Sequence, residues 1–314
     1  MTGRIDTHQH IVPPRYRRWL LDKGLTAGGR AIPEWSAESA LELMGDNRID
    51  TAIVSVSTPG VEPAVDLDGG RSLARELNEF TAGVVADRPG RFGFFATLTL
   101  PDVDGALREA AYALDELGAD GVVLLANSRG VYLGDPAFDP LLEELNRRGA
   151  VVFVHPSHLP ADPVPGLPPY AVDFLLDTTR AALNLAHSGS MDRYPNLKII
   201  LSHAGGFLPY AAQRAANVAS PQGEGNDDDG LRIMRKFYFD TALSSSPYAL
   251  PSLLAFADPT HITFGSDWPY APAARSIRFT RSLDDYRDID HAAINRGNAE
   301  ALFPRFSLTK TTTS

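Results

Sequence analysis

The sequence predicts a single (β/α)8 barrel, the α/β fold in which eight parallel strands are surrounded by helices. Short apolar runs alternate with helical patterns roughly eight times along the 314 residues. The runs are continuously apolar, which is typical of parallel strands buried on both faces. A doubly wound open sheet would show the same alternation, but no glycine-rich nucleotide-binding motif follows any of the runs. The barrel is therefore the favoured fold.

The strand and helix patterns follow one another in the order that a barrel requires. The predicted strands are Arg4–His8, Thr51–Ser57, Arg91–Leu98, Gly121–Leu125, Ala150–His155, Lys198–Ser202, Phe237–Asp240 and His261–Phe264. The predicted helices are Ala37–Asn47, Ser72–Asp87, Asp104–Leu117, Asp139–Arg148, Val172–His187, Leu208–Val218 and Pro247–Phe256. We predict one barrel domain over residues 1–307 and a disordered tail over 308–314.

Three internal segments follow neither the strand period nor the helix period. Residues 12–36 are rich in proline, glycine and arginine, which predicts an irregular excursion after the first strand. Residues 157–169 contain too many prolines for a helix and predict a loop or lid after the fifth strand. Residues 219–230 are acidic and glycine-rich, a pattern typical of a solvated loop.

Composition excludes several classes of function. The 39 acidic residues exceed the 29 basic ones, and a net charge of −10 repels a polyanion such as nucleic acid. The absence of cysteine excludes disulfides, thiolate metal sites and cysteine nucleophiles. No apolar run approaches the ~18 residues of a membrane span, and the first residues form no apolar leader. We expect a cytoplasmic protein that binds neither nucleic acid nor membranes.

Five side chains at the ends of predicted strands are candidates for metal binding or catalysis. His8 and His10 lie two residues apart where the first strand ends, so both face the same side. His155 closes the fifth strand, His203 follows the sixth and Asp267 follows the eighth. A single histidine at a strand end is more often structural, but the carboxyl ends of barrel strands converge on one rim. Imidazole with carboxylate suits zinc, manganese, iron or cobalt.

The sequence around these residues resembles a known family. The segments DTHQHIVPP, FVHPSH, KIILSHAGGFLPY, FGSDWPY and INRGNAEALF are similar to the amidohydrolase superfamily, in its amidohydrolase-2 branch. That branch contains the aminocarboxymuconate semialdehyde decarboxylases and the salicylate-type and resorcylate-type decarboxylases. The segment DFLLDTTRAALNLAHSGSMDRYPNLKIILSHAGG is similar to 6-methylsalicylate decarboxylase-type members. The resemblance runs from Ile5 to Phe303 and implies a barrel of the metal-dependent hydrolase type.

The resemblance implies an enzyme, a metal-dependent carboxy-lyase. Its substrate would be a small hydroxylated aromatic acid, similar to salicylate, or a related unsaturated acid, which loses CO2 after protonation of carbon. Two alternatives stay open at this point. One is a hydrolase or hydratase of the same branch that acts on a lactone, ester or enol, and the other is a non-catalytic barrel with a remnant site. Members of the branch are commonly dimers, so the resemblance also implies a homodimer.

The resemblance assigns roles to the five strand-end residues. His8, His10, His155 and Asp267 would hold the metal, and His203 would be an acid/base residue near its open position. The acid that protonates carbon would be either Asp267, transiently protonated, or a water that passes its proton through His203. Binuclear members of the superfamily need a bridging carboxylated lysine or a glutamate at the end of strand 4, but that strand reads GVVLLANSRG, with no lysine or acid. We therefore expect one divalent ion, with zinc favoured and manganese as the alternative.

Further residues are candidates for substrate binding or for structure. Arg30 lies in the excursion after the first strand, where related decarboxylases have an arginine that binds a carboxylate. Tyr270 and His158 are the other substrate-binding candidates. Asp177 and Arg180 lie three residues apart on a predicted helix, where a structural ion pair is expected. The histidines expected to be structural are His187, His261 and His291.

Overall fold

A computed structural model describes residues 3–220 and 227–307. Within it, eight parallel strands lie side by side in chain order, as the sequence predicts. They are β1 Arg4–His10, β2 Ile49–Ser55, β3 Phe92–Thr97, β4 Gly121–Leu125, β5 Val151–His155, β6 Lys198–Leu201, β7 Tyr238–Asp240 and β8 Ile262–Thr263. A two-stranded hairpin of Asn127–Ser128 and Val131–Tyr132 follows β4. The predicted tail, 308–314, lies outside the described residues.

The first and last strands meet and close the barrel. Asp6 on β1 forms a parallel bridge with Phe264, the residue after β8. The Thr7 N–H donates to the Phe264 carbonyl at 2.9 Å, and the Thr7 hydroxyl lies 2.8 Å from that of Thr263. Because closure leaves no free sheet edge, the carboxyl ends of all eight strands surround one opening. The predicted (β/α)8 barrel is confirmed.

Helices pack around the barrel and occupy most of the connections. They are α1 Pro14–Asp22, α2 Ala37–Asp46, α3 Leu67–Asp87, α4 Val103–Asp115, α5 Asp139–Arg147, α6 Asp173–His187, α7 Ser190–Arg193, α8 Leu208–Ala219, α9 Asp227–Met234, α10 Leu250–Phe256, α11 Ala273–Asp284 and α12 Asn298–Leu302. Each predicted helix is present within a few residues of its expected bounds. No helix of the described ranges has the length and apolar character to cross a bilayer.

The structure corrects two of the predicted irregular segments. Residues 12–36 contain the nine-residue helix α1, which Pro14 begins and which buries Tyr16 and Leu20. Proline is favoured in the first helical turn, so its presence there does not argue against a helix. Part of the predicted acidic loop is likewise helical, because α9 begins at Asp227. The remaining part of that loop, 221–226, lies outside the described residues.

The barrel interior is apolar in its lower half, toward the amino ends of the strands. There the inward side chains form one buried cluster with residues of the C-terminal segment. The cluster contains Ile5, Ile53, Phe95, Val123, Val151, Phe153, Ile200, Ala299, Leu302, Phe303 and Phe306. The Phe95 ring stacks on Phe153 at 5.3 Å between centroids and meets Phe303 edge-on at 5.9 Å. The C-terminal segment therefore closes the lower end, and the upper end stays open for a site.

Candidate metal centre

Four side chains from three parts of the chain meet at the upper end of the barrel. His8 and His10 lie on β1, His155 closes β5, and Asp267 follows β8. One nitrogen or oxygen atom from each lies within 4.8 Å of the others, and all four residues are buried. The four residues that the sequence analysis grouped as metal ligands are thus brought together.

A break in the regular pairing of β1 positions the two histidines. Ile5 belongs to the apolar barrel interior, yet His8, three residues later, also lies inside the barrel. Strict alternation would place residues three apart on opposite faces of a strand. The pairing of β1 with β2 shifts register between Asp6 and Gln9, and a bulge of this kind restores the inward direction. The bulge therefore allows His8 and His10 to share the interior with Ile5.

The turn after β8 positions the carboxylate. Asp267 has a left-handed backbone with φ 58°, and its N–H donates to the His8 carbonyl at 2.8 Å. Gly265 allows this approach, because a Cβ there would lie 2.9 Å from the Cβ of His8. The Asp267 Oδ1 atom consequently lies 3.4 Å from His8 Nε2 and 3.3 Å from His10 Nε2.

The spacing of these atoms fits a metal ion. The Nε2 atoms of His8 and His10 are 3.1 Å apart. Ligand atoms held about 2.0–2.1 Å from a tetrahedral zinc are about 3.3 Å from one another. The Nδ1 atoms are engaged elsewhere: that of His8 with Asp240 at 2.7 Å and that of His10 with the Ser55 carbonyl at 3.2 Å. In each of these two histidines, Nε2 is therefore the nitrogen available to bind a metal ion.

Burial and neighbouring charges set the protonation of the cluster. Burial lowers the pKa of His10 and brings that of His155 well below its usual value. Burial acts in the same direction on His8, but the Asp240 carboxylate, followed by Asp267, raises the His8 pKa to about 10. Burial alone would raise the pKa of Asp267, yet the surrounding imidazoles hold it well below the usual range. Neutral imidazoles and an ionised carboxylate are the forms that bind metals, so His8 would release a proton when it binds an ion.

His203 lies beside the four residues. Its ring centroid is 4.8 Å from that of His8, and its Nε2 is 3.6 Å from Asp267 Oδ2. Its backbone is left-handed, with φ 52°, and its N–H donates to Asp240 Oδ1 at 3.0 Å. The buried Nδ1 atom has no hydrogen-bond partner among the described residues. His203 is therefore close enough to exchange a proton with a molecule bound above the cluster.

A cavity of about 570 Å³ opens above the cluster. His155, His203 and Asp267 line it on the side of the cluster. Its walls are largely apolar and include Phe174 and Tyr270, whose ring meets His10 edge-on at 5.4 Å. The cavity is large enough for a single substituted aromatic ring, since small-molecule sites span about 300–1,000 Å³.

Arg30 lies on the wall of this cavity, as the sequence analysis expected of a substrate-binding residue. Its guanidinium stacks over the Tyr170 ring at 4.0 Å from the centroid. Tyr170 directly follows the predicted lid, and its N–H donates to the Gly28 carbonyl at 3.1 Å. Tyr270, the second expected residue, also lines the cavity. The side chain of Arg275, which the sequence analysis did not single out, lies at the same cavity.

The structure does not bring His158 into the cavity lining. The residue is exposed, and its carbonyl accepts a hydrogen bond from the Asn127 side chain. Three residues after His155 the chain has already left the strand for the loop, and a histidine there faces water. The expected histidines at structural positions do bond backbone carbonyls, and these residues are His187, His261 and His291.

Asp177 has a different partner from the one expected. It accepts from the Asn127 and Tyr132 side chains, each at 2.9 Å. It also accepts from the Ser157 N–H at 2.9 Å. Arg180 is exposed on the same helix. The expected ion pair is therefore replaced by bonds that attach α6 to the loops after β4 and β5, because Asp177 is buried and Arg180 is not.

Sequence analysis missed Asp240, although the signal was present. Asp240 ends the predicted strand Phe237–Asp240, the same position that singled out the other strand-end residues. It is fully buried and contacts both His8 and the His203 amide. Because it is an acidic residue that closes an apolar run, it could have been grouped with the other five strand-end residues.

A family model described as amidohydrolase matches residues 5–305 of the chain. The chain belongs to the amidohydrolase family. This match spans the complete barrel, from β1 to the C-terminal segment that closes its lower end. The family resemblance predicted from the sequence motifs is confirmed.

Several proteins that are similar to this amidohydrolase are named as decarboxylases. It is 41% identical to a 6-methylsalicylic acid decarboxylase of Penicillium expansum, over 96% of this chain and 97% of that protein. It is 28% identical to a gamma-resorcylate decarboxylase of a Polaromonas species, over 96% of this chain and 99% of that protein. A solved 2,6-dihydroxybenzoate decarboxylase, complexed with 2,6-dihydroxybenzoate, matches with a TM-score of 0.76 at 26% identity, over 97% of this chain and all of that one.

Proposed function

We propose that this amidohydrolase is a metal-dependent, non-oxidative decarboxylase of a hydroxylated aromatic carboxylic acid. The observation that supports it is the meeting of three imidazoles and one carboxylate beneath a largely apolar, ring-sized cavity. The relatives named as decarboxylases of methylsalicylic and resorcylic acids support the same reaction and the same substrate class. Within that class, the 6-methylsalicylate type is favoured by the higher identity.

We propose that His8, His10, His155 and Asp267 hold one divalent ion. The ion would be zinc, with manganese as the alternative, because nitrogen and oxygen ligands suit both. β4 ends at Leu125 and supplies neither lysine nor acid to bridge a second ion. When bound, the metal supplies positive charge that binds the carboxylate and the neighbouring hydroxyl oxygen of the substrate.

Other residues of the cavity orient the substrate. Phe174 and Tyr270 offer apolar surface to an aromatic ring and exclude water from it. Arg30 offers a cationic group that binds a carboxylate or phenolate oxygen, while its stacking on Tyr170 restricts its motion. Holding the ring in one orientation keeps its carboxyl-bearing carbon near the proton donor.

Asp267 and His203 move the proton. Decarboxylation of an aromatic acid is slow because the departing CO2 leaves an electron pair on an sp² carbon. A proton added first to that carbon makes it sp³, and the electrons of the breaking C–C bond then restore the aromatic ring as CO2 leaves. One proton is consumed and one CO2 is released. His203 holds the proton beside Asp267, at 3.6 Å, and takes its replacement from water.

The homodimer that the family resemblance implies, the cytoplasmic location and the single domain over 1–307 all stay predictions. The same ligands could serve hydrolysis, so the reaction needs a direct test. Metal-stripped protein is reloaded with zinc or manganese and offered ortho-hydroxybenzoates, including 6-methylsalicylate, beside a set of lactones and esters.

CO2 release from the acids should require the added metal, and Asp267→Asn should lower kcat by about 10²–10⁴-fold while far-UV circular dichroism stays unchanged. Turnover of lactones or esters without CO2 release would instead support the hydrolase. The decarboxylase is excluded if metal-loaded protein acts on none of the acids.

A further inference from the structure

Asp240 ends β7 beneath the metal centre and uses both carboxylate oxygens. Its Oδ2 atom lies 2.7 Å from His8 Nδ1. Its Oδ1 atom accepts the N–H of His203 at 3.0 Å and that of Ala242 at 2.8 Å. The side chain is fully excluded from solvent. Three donors therefore determine how this one carboxylate is oriented.

We propose that Asp240 is a positioning residue that selects the His8 tautomer able to bind a metal. An ionised carboxylate only accepts hydrogen bonds, so His8 must donate from Nδ1. In the neutral form of His8, which is the form that binds a metal, the other ring nitrogen, Nε2, then carries no proton. It lies 3.1 Å from His10 Nε2 and 3.4 Å from Asp267 Oδ1. Carboxylate partners of this kind orient metal-binding histidines and raise their basicity. The inference rests on the metal centre in the proposed function.

The two backbone donors make an Asp240→Asn substitution informative. The amide oxygen must stay at the Oδ1 position, because the N–H groups of His203 and Ala242 need an acceptor there. The new NH2 group then faces His8 Nδ1, which has to accept. The proton of the neutral ring moves to Nε2, the nitrogen that faces the cluster. A metal ion has to displace that proton from Nε2 and break the hydrogen bond between the new NH2 group and Nδ1. The affinity for metal therefore falls.

Asp6 offers a matched control at an equally buried position. It accepts the N–H of His8 at 3.0 Å, that of Ser266 at 3.1 Å and the Gln9 side-chain amide at 3.1 Å. Its hydrogen bonds thus go to backbone N–H groups and to Gln9, and none joins it to an imidazole ring of the described residues. In Asp6→Asn the Gln9 amide can rotate, because Gln9 Oε1 is buried without a partner among the described residues and can accept from the new NH2.

The experiment measures cobalt(II) and zinc affinity of the full chain by chelator competition, together with the visible absorption of the cobalt form. We expect Asp240→Asn to bind either metal about 10–100-fold more weakly than wild type, with an altered cobalt spectrum. Asp6→Asn should stay within about threefold of wild type and keep the wild-type spectrum. Equal losses in the two variants, or unchanged affinity in Asp240→Asn, would overturn the inference.

A measurement on the wild-type protein covers the case in which Asp240→Asn does not fold. In zinc-loaded protein labelled with ¹⁵N-histidine, with the signals assigned through His8→Gln, His8 Nδ1 should bear a slowly exchanging proton. An unprotonated Nδ1 contradicts the inference. None of these readouts uses a substrate, so a chain that binds metal normally but releases no CO2 would refute the proposed function alone. A wild-type chain that binds neither metal would refute both.

Discussion

The two halves of the barrel interior are built on the same strands and have opposite chemistry. Along β5, Val151 and Phe153 face the apolar lower interior, and His155, two residues further on, faces the metal centre. The lower half is packed with aliphatic and phenyl side chains, which stabilise the fold through burial. The upper half buries imidazoles and a carboxylate, which lose hydration there. Inward-facing side chains of the same strand thus stabilise the fold in the lower half and form the functional site in the upper half.

Replacement of His155 by leucine tests the upper half and has the largest expected effect. Metal affinity and decarboxylation should fall by more than about 100-fold, because even indirect partners of metal ligands cost about 10–100-fold. The free energy of unfolding of the metal-free protein should rise by about 1–2 kcal/mol, since an apolar side chain replaces a desolvated imidazole beside Phe153 and Phe174. Urea unfolding in the presence of a chelator measures this free energy of unfolding. A loss of stability would show that the imidazole stabilises the fold.

Replacement of Phe95 by alanine tests the lower half. The substitution removes the ring that stacks on Phe153 and meets Phe303, so the free energy of unfolding should fall by about 3–5 kcal/mol. Activity per folded molecule, measured well below the unfolding transition, should stay within about twofold of wild type. A large loss of kcat with little loss of stability would mean that the lower half of the barrel interior also supports catalysis.

A charge pair outside the barrel should have the smallest effect and depend on pH. Asp102 accepts from Arg71 at 2.7 and 2.9 Å and from the Gly105 N–H at 3.1 Å. The Arg71 hydrogen bonds hold the pKa of Asp102 below its ordinary value of 3.8. A lowered folded-state pKa gives a stabilising contribution that is full above the unfolded value and is lost as the pH falls through the folded one.

Asp102→Asn keeps an acceptor for Gly105 and removes the charge. The midpoint of thermal unfolding should therefore drop slightly at pH 7, and the difference from wild type should narrow below about pH 4, near the ordinary pKa of a free aspartate carboxyl. Scans at pH 7, 5 and 3 measure this difference. If the difference were constant down to pH 3, the ionised form of Asp102 would not be the source of its contribution.

Most of the fold followed from local sequence patterns. The continuous apolar runs predicted all eight strands. The periodic segments predicted seven of the twelve α-helices of the described residues, and the five that were not predicted are α1, α7, α9, α11 and α12. The helix α3 began earlier than expected, at Leu67, because Asp66 caps it and two glycines in its first turn hide the helical pattern. The proline-rich start hid α1 for a related reason. In α1 and α3, glycine or proline, which are normally signals of irregular structure, lie in the first turn of the helix.

The sequence by itself determined which side chains stand at the carboxyl ends of the strands, and hence the ligand types available to a metal. The β1 bulge that turns His8 inward, the contact between Asp240 and His8, and the placement of Arg30 inside the cavity and His158 outside it were decided only by the tertiary structure. The reason is physical. Strand and helix periods are properties of neighbouring residues, whereas distances between side chains from different strands arise only when the barrel closes and packs.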